Sequence, residues 1–148
     1  MALRILCVCT GNTCRSPMLA ALLGDALQRA GIAATVESAG TAATIGDRAS
    51  AEAVAAMARR GIDLGSHVSR PVVSLDISVF DRIYTVSSRH AAFVRAQGVP
   101  AERIAVVSAD RGGVPDPWGG DAQVYEATAR HLEAEVARIS ANLAILPG

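Results

Sequence analysis

A cysteine and an arginine six positions apart, in Cys9-Thr10-Gly11-Asn12-Thr13-Cys14-Arg15-Ser16-Pro17, have the types and spacing needed to hold and attack an anion. If the intervening loop curls, successive backbone N–H groups of Thr10, Gly11, Asn12, Thr13, Cys14 and Arg15 point inward. A helix beginning at Ser16-Pro17 adds its partial positive charge, and the Arg15 guanidinium closes the cradle as a bidentate fork. Gly11 and Asn12 tolerate the left-handed dihedrals that such curling needs. The same field favours the anionic, nucleophilic form of Cys9, which would attack a tetrahedral phosphorus from beneath the cradle.

Attack on phosphorus requires an acid for the leaving group. Asp116 lies in Val114-Pro115-Asp116-Pro117-Trp118-Gly119-Gly120, where two prolines restrict the backbone on either side of the carboxyl. An aspartate in such a turn can be structural, and Trp118 can be a plain hydrophobic anchor. Beside a candidate acid, in a chain with 1 Trp, 2 Tyr and 2 Phe, Trp118 reads as one wall of a substrate cleft.

Composition removes competing chemistries. The 148 residues carry 14 basic and 14 acidic side chains, and every basic one is arginine. Without lysine there is no Walker-type phosphate loop and no Schiff-base catalysis. A formal net charge of zero gives no stripe for a nucleic-acid backbone and no polybasic membrane contact. No apolar run approaches the ~20 residues of a membrane span, so a cytoplasmic protein is expected. The three cysteines, Cys7, Cys9 and Cys14, are odd in number and clustered, a poor disulfide framework. The histidines His67, His90 and His131 are scattered, so neither metal nor cofactor is expected.

The elements that must position these groups alternate. Residues 3–8 read as a buried parallel strand running into the Cys9 loop. A helix follows with Ser16 as its cap and Pro17 at its first position, ending at Gly31. Residues 33–38 are a second strand. Ser50 starts an alanine-rich helix ending at Gly61; residues 81–86 form a third strand, residues 88–97 a helix closed by Gly98, and residues 104–107 a fourth strand. Residues 108–120 form a long loop, and Asp121 caps a last helix reaching about Leu143, with Val124, Ala127, Leu132, Val136 and Ile139 expected inside. This predicts one α/β domain over residues 1–148: three layers, a four-stranded parallel sheet flanked by helices, and the phosphate loop after the first strand. Cys7 falls within the strand and is assigned to the core.

Nearly the whole chain resembles the low-molecular-weight protein tyrosine phosphatase family, which includes bacterial protein arginine phosphatases and thioredoxin-linked arsenate reductases. The resemblance is carried by CTGNTCRSP at residues 9–17, DPWGG at 116–120, ESAGT at 37–41 and SHVSRP at 66–71. It implies Cys9 as nucleophile, Arg15 as phosphate ligand, Ser16 as donor to the thiolate, and Asp116 as general acid and then general base. It also implies Asn12, Ser38 and His67 as loop supports and Cys14 as a possible disulfide partner of Cys9. His90 and His131 match nothing catalytic and are expected on the surface. Thr13 resembles the arginine phosphatases, where tyrosine phosphatases usually carry Ile. Residues 40–50 contain no aromatic, and Trp118-Gly119 replaces the usual tyrosine pair. The resulting expectation is hydrolysis of a phosphorylated protein through a cysteinyl-phosphate, releasing inorganic phosphate. Phosphoarginine is favoured and phosphotyrosine is the alternative. An arsenate reductase would need cysteines beyond Cys14, and a mere phosphate-binding module would need neither Cys9 nor Asp116.

Overall fold

The computed structural model describes residues 2–145. Four parallel strands, β1 (Leu3–Cys9), β2 (Ala34–Gly40), β3 (Arg82–Thr85) and β4 (Ile104–Val106), form one sheet in the order β2-β1-β3-β4. The chain leaves β1 toward one edge and returns to its other side, so strand order reverses at β1. Ligand sites of open α/β sheets form at the carboxyl ends of strands at such a switch, and Cys9 is the last residue of β1.

Central position makes β1 apolar on both faces. Ile5, Leu6, Cys7 and Val8 are all fully buried. Alternate residues serve opposite layers: Ile5, Cys7 and Cys9 join Met18, Leu19, Leu23 and Leu132, whereas Leu6 and Val8 join Val72, Phe80, Ile83 and Val94. The first layer holds α1 (Arg15–Arg29), α2 (Ala51–Ala58) and α4 (Ala122–Ala144), and the second holds α3 (Ser88–Ala96). Cys7 is thus core, and burial, with the Cys9 thiol beside it, pushes its own thiol further from ionisation.

Several local expectations are corrected. Helix α1 begins at Arg15 with Cys14 in the capping position and no side-chain cap. Ser16 is therefore inside the first turn rather than capping it, and Pro17 is the third helical residue. β2 runs two residues beyond the expected end, because Ser38, Ala39 and Gly40 pair with Cys7, Val8 and Cys9. On α4, Val124 and Ala127 face solvent while Tyr125, Thr128 and Ala129 point inward with Leu132 and Val136. The apolar stripe is rotated because the Tyr125 ring supplies buried area that Val124 was expected to provide. Asp121 caps α4 as expected, accepting from the Val124 N–H at 3.0 Å.

Gly40 shows how the sheet constrains the loop. The carbonyls of Cys9 and Thr10 accept from the N–H groups of Thr41 and Ala42 at 2.9 and 3.0 Å. This draws the chain after β1 so close that a Cβ on Gly40 would lie 2.3 Å from the Thr10 oxygen. Backbone cannot yield as a flexible side chain would. Gly40→Ala is expected to cost about 1–3 kcal/mol, measured by urea denaturation, and to weaken inorganic phosphate binding. An unchanged denaturation midpoint would show that the loop is not held by this contact.

Candidate active site

The loop from Cys9 to Arg15 folds around a pocket of about 200 Å³ that Asp116 and Trp118 complete from the other side. Cys9 is 3% exposed, with its Sγ 2.9 Å from Ser16 Oγ. Among the described residues, the N–H groups of Gly11, Asn12, Thr13 and Cys14 find no acceptor within the chain. With the uncapped start of α1, they leave a concentration of donors beside the thiol.

Asn12 holds this curvature. It is fully buried at φ 58°, a region that asparagine tolerates better than most residues. Its Nδ2 donates to Ser16 Oγ at 2.8 Å and Ser38 Oγ at 2.9 Å, its Oδ1 accepts from the Arg70 N–H at 3.1 Å, and its carbonyl accepts from His67 Nε2 at 2.7 Å. All the expected supports, Asn12, Ser16, Ser38 and His67, therefore meet in one network. Arg70, which residue pattern alone does not single out, extends it: its Nε donates to the Ser38 carbonyl at 3.1 Å and its Nη2 pairs with Glu37 at 2.8 Å. Since a carbonyl only accepts, His67 must carry a proton on Nε2. Burial, aided by the Arg70 cation, holds His67 below the ordinary histidine value despite the opposing effect of the Asn12 carbonyl.

Arg15 is almost wholly enclosed. Nη1 donates to the Val114 carbonyl at 3.0 Å, and Nη2 stands 3.6 Å from an Asp116 oxygen. The acid loop is seated by Gly113, whose added Cβ would fall 2.4 Å from the Val86 carbonyl, and by Val114, whose N–H donates to that carbonyl at 2.8 Å. Asp116 Oδ1 accepts from the Trp118 N–H at 3.1 Å. Trp118 is 75% exposed, so its ring stands at the pocket mouth. Thr13 lines the same pocket, and its carbonyl accepts from the Ser50 N–H at 3.0 Å.

Cys14 contributes backbone to the loop and turns its side chain inward. Its Sγ lies 3.1 Å from the Tyr125 hydroxyl and 3.7 Å from Ser50 Oγ. Burial and this contact push the tyrosine up to about 12. The three cysteines are free thiols. The surface expectation for His90 is overturned: it is 6% exposed and bonds Thr10, because the start of α3 packs against the loop. His131 is half-buried, its Nε2 2.6 Å from Ser108 Oγ. A larger groove of about 830 Å³ lies away from Cys9 between α2 and α4, where Arg60 is engaged by Glu126 and Glu133.

Residues 4–145 match the family model described as low molecular weight phosphotyrosine protein phosphatase. A protein-arginine-phosphatase of Geobacillus stearothermophilus is 36% identical over 97% of this chain and 97% of its own. The low molecular weight protein-tyrosine-phosphatase Wzb of Salmonella typhi is 31% identical over 88% and 87%. A solved structure of the arginine phosphatase YwlE, a cysteine-to-serine mutant with a phosphorylated active-site serine, superposes with TM-score 0.89 at 31% identity, covering 97% of both chains.

His67 provides a stability test. Its folded-state pKa is lowered, so between that value and the ordinary 6.5 the unfolded chain binds more protons. Stability from this group is present above 6.5 and is lost as pH falls through the window. The melting temperature of wild type is expected to fall more steeply than that of His67→Gln between about pH 7.5 and 5.5. Parallel slopes would show that His67 does not titrate in this way.

Proposed function

The chain belongs to the low molecular weight phosphotyrosine protein phosphatase family, and from that premise we propose that it hydrolyses phosphorylated protein side chains through a phosphoryl group carried on Cys9, with phosphoarginine the favoured substrate. The observation that carries this reading is the meeting of Cys9, Arg15 and Asp116 around one small pocket.

In the first step Cys9 Sγ attacks phosphorus and an S–P bond forms. The bond to the leaving nitrogen or oxygen breaks, and Asp116 gives that atom its proton. Arg15 and the loop amides take the charge on the equatorial oxygens. Ser16 Oγ, already beside Sγ, stabilises the sulfur when it carries negative charge. In the second step Asp116 accepts a proton from water, whose oxygen attacks phosphorus; the S–P bond breaks, inorganic phosphate leaves, and the thiolate is restored. Cys7 has no part, since it is sealed in the sheet. Every step draws on side chains and backbone amides of the chain itself. Free cysteines fit a cytoplasmic location, which is part of the same proposal.

Thr13 and the scarcity of aromatic walls favour phosphoarginine. A compact polar side chain suits a planar, hydrogen-bonding guanidinium, whereas a phenyl ring would find only Trp118. Phosphotyrosine is the second reading, supported by the relation to Wzb and by the Trp118 ring itself.

Parallel kcat/KM measurements on phosphoarginine and phosphotyrosine peptides are expected to favour phosphoarginine. Thr13→Ile should shift the ratio toward phosphotyrosine by roughly 10- to 200-fold, the effect of one apolar group in a pocket. A strong wild-type preference for phosphotyrosine, or a ratio unmoved by Thr13→Ile, contradicts the arginine reading. Asp116→Asn should lower kcat by ~10²- to 10⁴-fold, with a smaller loss on aryl phosphates whose phenolates leave unprotonated. An equal loss across leaving groups would remove Asp116 from the acid role.

A further inference from the structure

Loop support from β2 and Asn12 leaves the first residue after the nucleophile in need of a second anchor. Thr10 is held at its carbonyl by the Ala42 N–H, on the β2 side of β1. Its side chain reaches the opposite way, across the carboxyl end of β3, where Oγ1 lies 2.7 Å from His90 Nε2. His90 is 6% exposed, and its Nδ1 lies 2.5 Å from Ser87 Oγ. Ser87 is the capping residue of α3, and its Oγ accepts the His90 backbone N–H at 3.3 Å. Its carbonyl accepts from Thr85 Oγ1 at 2.9 Å, tying the cap to β3.

The contacts form one continuous chain from the α3 cap through the imidazole to the loop. We assign the tautomer in which Ser87 Oγ, accepting from the backbone, gives its proton to Nδ1, so that the neutral ring carries its proton on Nε2 and donates to Thr10. The charged groups acting on the ring are Arg15 from α1, Arg89 from α3 and Asp116 from the acid loop. Burial and the two guanidinium groups disfavour a charged imidazole, with the carboxylate opposing them.

We propose that His90 is a positioning residue of the phosphate loop: oriented by Ser87, it holds Thr10 and thereby aims the first turn of the loop after Cys9 at the bound phosphoryl group. His90 itself does not touch phosphate. Its effect passes through Thr10 Oγ1, which distinguishes it from a residue that only fills space beneath α3. This inference rests on the phosphatase reading for its catalytic consequence, though not for its effect on oxyanion binding.

The test is a double-mutant cycle on the full chain with His90→Ala, His90→Gln, Thr10→Val and the His90→Ala/Thr10→Val pair. Two measurements are made: protection of Cys9 from iodoacetamide by inorganic phosphate, and kcat/KM for p-nitrophenyl phosphate. His90→Ala and Thr10→Val are each expected to weaken phosphate protection and lower kcat/KM by about 3- to 10-fold, the worth of one neutral hydrogen bond. His90→Gln, which can present an amide N–H in place of Nε2–H, should recover most of the loss. The paired variant should be little worse than either single one, because both remove the same contact. Thr10→Val keeps the buried imidazole, so it and His90→Gln carry the test if His90→Ala does not fold. Additive effects, His90→Gln as damaging as His90→Ala, or unchanged phosphate protection in Thr10→Val would overturn the proposal. Absence of wild-type turnover with the protection pattern intact would instead count against the phosphatase reading alone.

Discussion

A buried asparagine in a left-handed conformation is the constraint on which the site depends. Reaching that region costs a residue other than glycine roughly 1–2 kcal/mol, and Asn12 offsets it with bonds to Ser16, Ser38, Arg70 and His67. The contacts to Ser16 and Ser38 are buried, and losing a buried hydrogen bond costs about 1–3 kcal/mol, whereas those to Arg70 and His67 are part-buried and add less. Those four contacts outweigh the backbone strain, so the loop is curled before any anion arrives. Preorganisation of this kind is what electrostatic stabilisation of a phosphoryl group requires, since donors already in place need not be reoriented during reaction.

Interaction strength and functional weight separate clearly in this molecule. The shortest ion pair joins Arg60 to Glu126, at 2.6 Å, and fastens the end of α2 to α4 outside the pocket that Cys9 lines. The Arg15 to Asp116 pair is longer, at 3.6 Å, and its carboxylate is 54% exposed, so solvent screens the attraction and its contribution to stability is small. Its importance is positional. One guanidinium, buried and oriented by the Val114 carbonyl, faces both the pocket and the carboxyl that would deliver the proton. A weakly held carboxylate can change partners when an anion binds, whereas one locked like Glu126 could not serve a proton transfer.

Much of this arrangement is legible in the residues. The strand and helix alternation follows from apolar runs and from Gly31, Gly61 and Gly98, each at positive φ where a helix stops. Cys9, Arg15, Asp116 and Trp118 gather at one pocket, as their spacing and the two loops imply. The features that residue pattern hides depend on contacts between distant segments. His90 looks like a surface histidine in Ser-Arg-His-Ala, because nothing local reveals that α3 packs its first turn on Thr10, eighty residues earlier in the chain. Arg70 and Tyr125 escape notice for the same reason. Gly40 is visible within ESAGT, yet its purpose lies in the closeness of the Thr10 carbonyl, which only strand pairing creates. The Ser16 hydroxyl suits a helix cap by type, but the cap lies two residues earlier, at Cys14, and the hydroxyl turns to the thiol as the family resemblance implies.

The central claim is that the phosphoryl group passes through Cys9. The most direct measurement is rapid acid quench of a single turnover on a phosphorylated peptide, followed by intact-mass and peptide mapping of the protein. One phosphoryl group on Cys9, appearing and decaying at rates compatible with phosphate release, is the predicted result. Full turnover with no phosphoryl group on the protein at any time, or with the group on Cys14 or another residue, would contradict the account.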